Sequence, residues 1–346
     1  MGNCGMGRKG EMHCAGPEGD SPKVTCITVF YNRASGVAQT INSLLNQTYR
    51  NLDIIIVDDG STDSTLKEIN RLAVESRIRV IAKENSGFTR SMIRAIEASD
   101  GEYIAIQGAG DESHPERIAC QVRYLKEHPE VGAVGCWRDS ENLETGTRSV
   151  QRRTEYVPVG GLLAATRNPF SQGEVTMCRA AYLEAGGYRS FFRFRQDYDL
   201  WLRMNEGYSL AVVPRVLYKE YGWKGGLRND PSSMVLAAGL ARLAKVAALS
   251  RRREGVDPID ADPEAAFDLL VGDKEYARRL KGLAFFAALR FGGRTGVMVI
   301  DEALRVVPKW DSRVLRWFFI AGERGDFLRR IGAAMNAVRI KVRSAG

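Results

Sequence analysis

The chain has no long hydrophobic run. Its apolar stretches 282–291 and 314–322 are short and contain or adjoin arginine, short of the roughly 18 uninterrupted apolar residues of a membrane span. Over the first twenty residues there is no apolar segment of the signal-peptide kind, and Gly2 is followed by Met6 where N-myristoylation wants Ser or Thr. A soluble or peripheral protein is therefore expected. Paired cysteines are lacking too: Cys4, Cys14, Cys26, Cys120, Cys136 and Cys178 are dispersed and include no C-x-x-C. That spacing argues against a zinc ribbon or a disulfide framework and fits a reducing compartment. Cys4, His13 and Cys14 have no fourth ligand nearby, so the Gly-rich, polar segment 1–22 reads as a disordered tail. The 35 glycines and 11 prolines follow no fixed period and no block repeats itself, which excludes collagen-like, solenoid and propeller architectures.

What is present is ordinary globular composition, 44% hydrophobic and 27% charged over 346 residues, enough for two domains. The net charge of +8 is unevenly placed. Residues 1–230 carry 29 basic and 29 acidic side chains, whereas residues 231–346 carry 21 against 13. A basic C-terminal module suits an anionic membrane surface or an acidic partner; a solvated helical face is the plainer alternative. Nucleic acid is not expected, because the basic tail has little aromatic interleaving and no recognisable motif.

From Lys23 onward, buried-type strands at 24–30, 53–57, 79–82 and 103–107 alternate with helical spacing at 37–46, 64–75 and 89–98. Such alternation predicts an α/β protein with a doubly wound, mostly parallel sheet whose ligands lie at the carboxyl ends of the strands. A helix capped by Ser113, with Pro115 in its first turn, is expected to run to Leu125, followed by a strand at 131–137 and a polar loop or hairpin at 138–161. Residues 168–179 resume ordered structure and 196–203 are helical; beyond about Asn229 an Ala, Leu and Arg-rich helical module is expected. Its last helix would place Leu328, Ile331, Met335, Val338 and Val342 on one stripe, for packing or for an interface.

Two adjacent carboxylates, Asp58 and Asp59, end the second strand ahead of Gly60-Ser61-Thr62-Asp63. There they can accept from a base N–H or a ribose hydroxyl, and Tyr31 at the end of the first strand can stack on a base. Taken alone, Asp-Asp-Gly-Ser is also a turn with a helix cap.

The ordered series Tyr31-Asn32-Arg33, Gln47-Thr48-Tyr49, Val57 to Asp63, Asn85-Ser86-Gly87, Gly101 to Ala105, His114-Pro115-Glu116-Arg117 and Gln196 to Arg203 resembles the family-2 inverting glycosyltransferases of the GT-A fold. The resemblance spans residues 23–228, leaving 229–346 as a separate basic helical module. It implies a nucleotide-sugar donor, more specifically a UDP-sugar, and a glycan or lipid-linked acceptor. The basic C-terminal helices would then place a cytoplasmic enzyme at the inner face of the membrane, where such acceptors lie. By position, it implies that Tyr31 and Asp59 hold the base, that Asp58 is a ribose contact or support, and that Arg90 contacts base or phosphate unless it is merely solvated. It also implies that Asp197, in Gln196-Asp197-Tyr198-Asp199-Leu200-Trp201, is the general base, while Asp199 holds structure. Inverting transfer needs such a base, because the acceptor hydroxyl loses its proton as it attacks the anomeric carbon.

The chain departs from the family at the diphosphate. Where the family reads Asp-x-Asp-Asp, this sequence reads Gly108-Ala109-Gly110-Asp111. Asp111 is the carboxylate left for Mg or Mn, which one or two carboxylates can hold with phosphate oxygens and water. Alternatively, Gly108 and Gly110 let backbone N–H groups approach the diphosphate, with Lys224 of the loop 221–226 neutralising phosphate and Trp223 stacking on a sugar. Gln172 and Glu174 stand where the family has His and a small residue, so acceptor recognition is expected to differ. The competing reading is a non-catalytic nucleotide-sugar-binding or scaffold protein with a degenerate metal motif.

Overall fold

The computed structural model describes residues 21–153, 156–163, 168–222 and 230–322. By internal packing the chain forms two units: residues 1–188 with 203–222, and residues 189–202 with 223–346. The expected tail 1–22 lies almost wholly outside the described residues, as do Trp223, Lys224 and the last helical stripe.

The first unit holds strands β1 (Val24–Phe30), β2 (Leu52–Asp59), β3 (Ile78–Lys83), β4 (Tyr103–Gln107), β5 (Glu112–Ser113), β6 (Val131–Asn142), β7 (Arg148–Gln151), β8 (Tyr156–Val157), β9 (Thr176–Cys178) and β10 (Ser209–Gly222). Its helices are α1 (Ala34–Leu45), α2 (Thr65–Leu72), α3 (Phe88–Glu97), α4 (Arg117–Glu127) and α5 (Arg179–Glu184). The sheet runs β3-β2-β1-β4-β9-β6-β10-β5, with β7 on β6 and β8 on β10. Strands β3, β2, β1 and β4 are parallel, as are β6 and β10, and the short β9 joins the two groups by antiparallel pairing. The expected α/β, doubly wound sheet of GT-A type is what forms.

The β-branched runs of β1 and β2 are buried on both faces, as strands covered by crossover helices must be. Val37, Ile41 and Leu44 of α1 pack onto them. Because β2 and β4 flank β1 on opposite sides, the strand order reverses there, and the crevice outside the carboxyl ends of β1 and β4 is where such sheets take ligands.

One expectation is corrected. Ser113 does not cap α4: it lies in β5 opposite Tyr218, its hydroxyl donating to Gln107 Oε1 at 2.6 Å. After residue 208 the chain forms the 14-residue β10, paired along β6, and its end takes in Tyr221 and Gly222 of the expected loop 221–226. Pro214 sits within β10 without an N–H to give the ladder, and the register slips on either side of Val216.

The second unit contains α6 (Gln196–Met204) up to Leu202, then α7 (Pro231–Glu254), α8 (Pro258–Ala261), α9 (Lys274–Phe291), α10 (Gly293–Val306) and α11 (Trp310–Gly322). Asp230 caps α7, accepting from Ser233 N at 2.9 Å ahead of Pro231, and Gly255 ends the helix at φ 72°. Among the described residues α7 alone is long and apolar enough to cross a membrane; the run escapes a count of uninterrupted apolar residues because Arg242 and Lys245 break it. Arg242 pairs with Asp273 at 2.8 Å, and Leu240, Leu243, Ala244 and Ala247 are buried. Gly296 of α10 lets that helix meet α9 closely, since a Cβ there would stand 2.6 Å from the Ala288 Cβ.

Candidate active site

The loops after β1 and β2 are tied together. Asn32, in the left-handed region at φ 49° that asparagine tolerates, accepts from Thr62 N at 2.7 Å through Oδ1, while its own N–H donates to Ser61 Oγ at 3.0 Å. Arg33 N donates to Thr65 Oγ1 at 2.8 Å. These bonds place Tyr31, which is exposed, beside the end of β2, where Asp58 pairs in register with Phe30.

Asp58 and Asp59 are both buried but differ in what they bond. Asp59 is saturated: it accepts from Ser86 N at 3.0 Å, Gly87 N at 2.9 Å, Ser91 Oγ at 2.8 Å, and the Lys83 ammonium. Burial by itself pushes its carboxyl up, yet the Lys83 ammonium, the Ser86 N–H and the Ser91 hydroxyl together hold it below the usual carboxylate value. The side chain thus builds the Asn85-Ser86-Gly87 turn. Asp58 accepts from Ser61 N at 3.1 Å through Oδ2, whereas its buried Oδ1 has no partner among the described residues. An orphaned buried carboxylate oxygen is costly unless something donates to it. Arg90 is exposed in the first turn of α3, directly after that turn.

The stretch Gly108 to Asp111 after β4 is pinned from several elements. Gly110, at φ 85°, donates its N–H to Thr40 Oγ1 at 2.9 Å and accepts from Gln39 Nε2, both of α1. Asp111 accepts from Tyr218 Oη at 2.8 Å and from Tyr221 N at 3.0 Å, which come from β10. Burial raises the Asp111 carboxyl to about 6; the Tyr221 N–H and Tyr218 hydroxyl pull it down, Glu220 pushes it up and Arg33 pulls it down. Tyr218 Oη also accepts from Gly108 N at 2.9 Å.

A divalent cation fits this donor set badly. One carboxylate is present where the resemblance implies three, both of its oxygens are already bonded, and the Arg33 guanidinium stands beside it. Among the described residues no group of three His, Cys, Asp or Glu side chains could hold a metal ion.

Other parts of the resemblance are scaffold. Gln47, fully buried, donates to His114 O at 2.9 Å and accepts from Ile118 N at 3.2 Å, docking the Gln-Thr-Tyr and His-Pro-Glu-Arg segments on each other. The buried Arg117 donates to Ile106 O at 3.1 Å, and its guanidinium lies 5.5 Å from the Tyr218 ring centroid. Glu174 is buried against Arg138 at 3.2 Å and accepts from Ser171 N at 3.0 Å; burial lifts its carboxyl to about 7 despite Arg138. Sequence reasoning passed over Tyr218, Lys83 and Arg33 as site residues. Only Arg33 had a local signal, its place beside Tyr31.

In the second unit, Asp197 is half-buried in the first turn of α6, behind Arg195 at φ 63°, a left-handed position unusual for a non-glycine residue. Asp199 is buried and bonded to Arg189 (Nε at 3.1 Å), which also reaches Asp257 at 2.8 Å and Asp260 at 3.0 Å. Tyr31, Asp58, Asp59, Arg90, Gly110 and Asp111 thus belong to the strand ends of the first unit, while Asp197 belongs to the second.

Fold and site together define an α/β protein whose candidate ligand groups collect where the strand order reverses. The chain belongs to the family Glycosyl transferase family 2, whose sequence pattern matches residues 25–221, and it is a glycosyltransferase. Over 204 residues it is 36% identical to EpsE of Bacillus subtilis (strain 168), a match covering 57% of this chain and 72% of EpsE. In fold it is similar to the mannosyltransferase PcManGT from Pyrobaculum calidifontis, solved in complex with GDP-Man and Mn2+, with a TM-score of 0.52, 17% identity and coverage of 93% and 87% of the two chains. It is likewise similar to residues 1-349 of S. aureus TarS in complex with UDP-GlcNAc, with a TM-score of 0.51, 16% identity and coverage of 86% and 89%.

Proposed function

We propose that this enzyme transfers a single sugar, with inversion, from a UDP-linked donor to a hydroxyl of a cell-surface or lipid-linked glycan. The observation that carries the nucleotide end is the orphaned Asp58 Oδ1 at the strand end beside the exposed Tyr31. Tyr31 stacks on the base, and Asp58 accepts from a base N–H or ribose hydroxyl. Asp59 serves the base through the turn it builds, and Arg90 at the start of α3 faces base or phosphate. The solved relatives with UDP-GlcNAc and with GDP-Man support a nucleotide-sugar donor.

Asp197 takes the proton of the acceptor hydroxyl as that oxygen bonds to the anomeric carbon. The C1–O bond to the donor phosphate breaks, its electron pair leaves with the nucleoside diphosphate, and attack from the opposite side inverts the centre. The transferase domain is proposed as 23–228 and the basic module as 229–346. Exposed Phe286, Phe291 and Met298 beside exposed Arg290 and Arg294 support contact of that module with the anionic inner face of a membrane, hence a cytoplasmic enzyme.

Asp197→Asn is expected to lower kcat by about 10²-fold or more while leaving UDP affinity unchanged, and Asp58→Asn to weaken UDP about tenfold. Retained turnover in Asp197→Asn would remove the base assignment. Retention of the donor's anomeric configuration in the product, read by NMR, would remove inversion. Failure to bind anionic liposomes at low salt would remove the membrane contact.

A further inference from the structure

Other side chains fill the space beside Gly108 and Gly110, the two glycines that stand where the family pattern has carboxylates. A Cβ at Gly110 would lie 2.7 Å from Arg33 Nε and 2.8 Å from Arg33 Nη2, so the guanidinium stands where a side chain at 110 would begin. A Cβ at Gly108 would collide with Asp111 Oδ2 and lie 2.8 Å from Tyr218 Oη, so the Asp111–Tyr218 pair fills that place. The guanidinium is held by its surroundings. Arg33 is buried and its N–H is anchored on Thr65, while its Cγ lies 3.3 Å from where a Gly36 Cβ would be. Gly36 in turn admits the Gly110 backbone, its own Cβ position being 2.5 Å from Gly110 Cα. The two glycines let the first turn of α1 and the 108–111 turn close on Arg33.

We propose that Arg33 supplies the positive charge for the donor's diphosphate, in the place where the family pattern would put a divalent cation. The proposal rests on the nucleotide-sugar reading above. A +2 ion beside a fixed guanidinium meets charge repulsion and one already bonded carboxylate. A diphosphate meets a positively charged planar fork of N–H donors that matches its oxygens. As the C1–O bond breaks, negative charge grows on the leaving phosphate oxygen. Arg33 stabilises it there, while the proton goes to the Asp197 carboxylate and no further co-reactant is needed.

The test is calorimetric titration of the full chain with UDP and with uridine, and with GDP and guanosine as a second pair, in EDTA and in Mn2+. In EDTA the diphosphate is expected to bind at least tenfold more tightly than its nucleoside, with Mn2+ changing that ratio less than threefold. Arg33→Gln is expected to reduce the diphosphate's advantage about 10- to 100-fold while leaving the nucleoside's affinity unchanged, which also reports an intact fold. Arg33→Lys, which keeps the charge but not the fork, is expected to fall between. A diphosphate affinity that collapses in EDTA and returns with Mn2+, or one that is indifferent to Arg33→Gln, overturns the proposal and leaves the nucleotide site standing. Failure of all four ligands to bind the wild type overturns the nucleotide reading and this proposal with it.

Discussion

Replacing Asp59 by asparagine removes one negative charge from a cluster in which Ser86 N, Gly87 N, Ser91 Oγ and the Lys83 ammonium all point at it. Whichever way the new amide turns, its NH2 faces either the Gly87 N–H or the group formed by Lys83, Ser86 and Ser91, so donor meets donor. Lys83 is then a mostly buried ammonium without its carboxylate. Breaking one side of a buried pair costs about 3–5 kcal/mol, which lowers Tm by about 6–20 °C in a domain of some 200 residues. Urea unfolding read by far-UV circular dichroism measures it, and a cycle with Lys83→Met separates the pair from the turn. The double variant is expected to recover about 1–3 kcal/mol of the additive loss, because no stranded ammonium remains. The folded-state carboxyl lies below its ordinary value, so its contribution is present above that value and vanishes as pH falls through the folded one; wild type and variant should converge in acid. A loss under about 1 kcal/mol at neutral pH would refute the anchoring role.

The buried Glu174, with its carboxyl lifted from 4.5 to about 7, contributes stability that is full below pH 4.5 and lost as pH rises through 7. Relative to wild type, Glu174→Gln should therefore gain about 3 kcal/mol between pH 4.5 and pH 8, and parallel unfolding curves at the two pH values would contradict this. Asp199→Asn should destabilise the second unit by about 3 kcal/mol through its buried bond to Arg189, and an unchanged melting temperature would argue against a structural Asp199. Gly296→Val should cost about 1–3 kcal/mol, since its Cβ would stand 2.6 Å from the Ala288 Cβ and 3.0 Å from Ala284 O, and a neutral result would mean the helices part freely.

Much of the fold is legible along the chain because its signals are local. Buried β-branched runs and amphipathic spacing give β1 to β4 and α1 to α3 within three residues, and their alternation fixes a parallel arrangement. β10 was not legible: Pro214 interrupts it, and its two-sided pairing with β6 and β5 is non-local. The charge split and the ordered motifs come from the sequence alone, since each is a property of residue type and spacing.

What each motif residue does was decided only by packing. Asp58 and Asp59 are neighbours of identical chemistry, yet one is saturated by a turn 27 to 32 residues away and the other keeps an open oxygen. Gln47 and Arg117 belong to the family pattern and prove to be internal braces. Tyr218 reaches Asp111 across 107 residues of chain, a contact with no local signal. Arg33 against Gly110 is of the same kind. The sequence shows glycines at two positions where the family pattern has carboxylates, and only the closure of α1 on the 108–111 turn brings the Arg33 guanidinium against Gly110, because residues far apart in the chain meet only when the strands that carry them lie side by side.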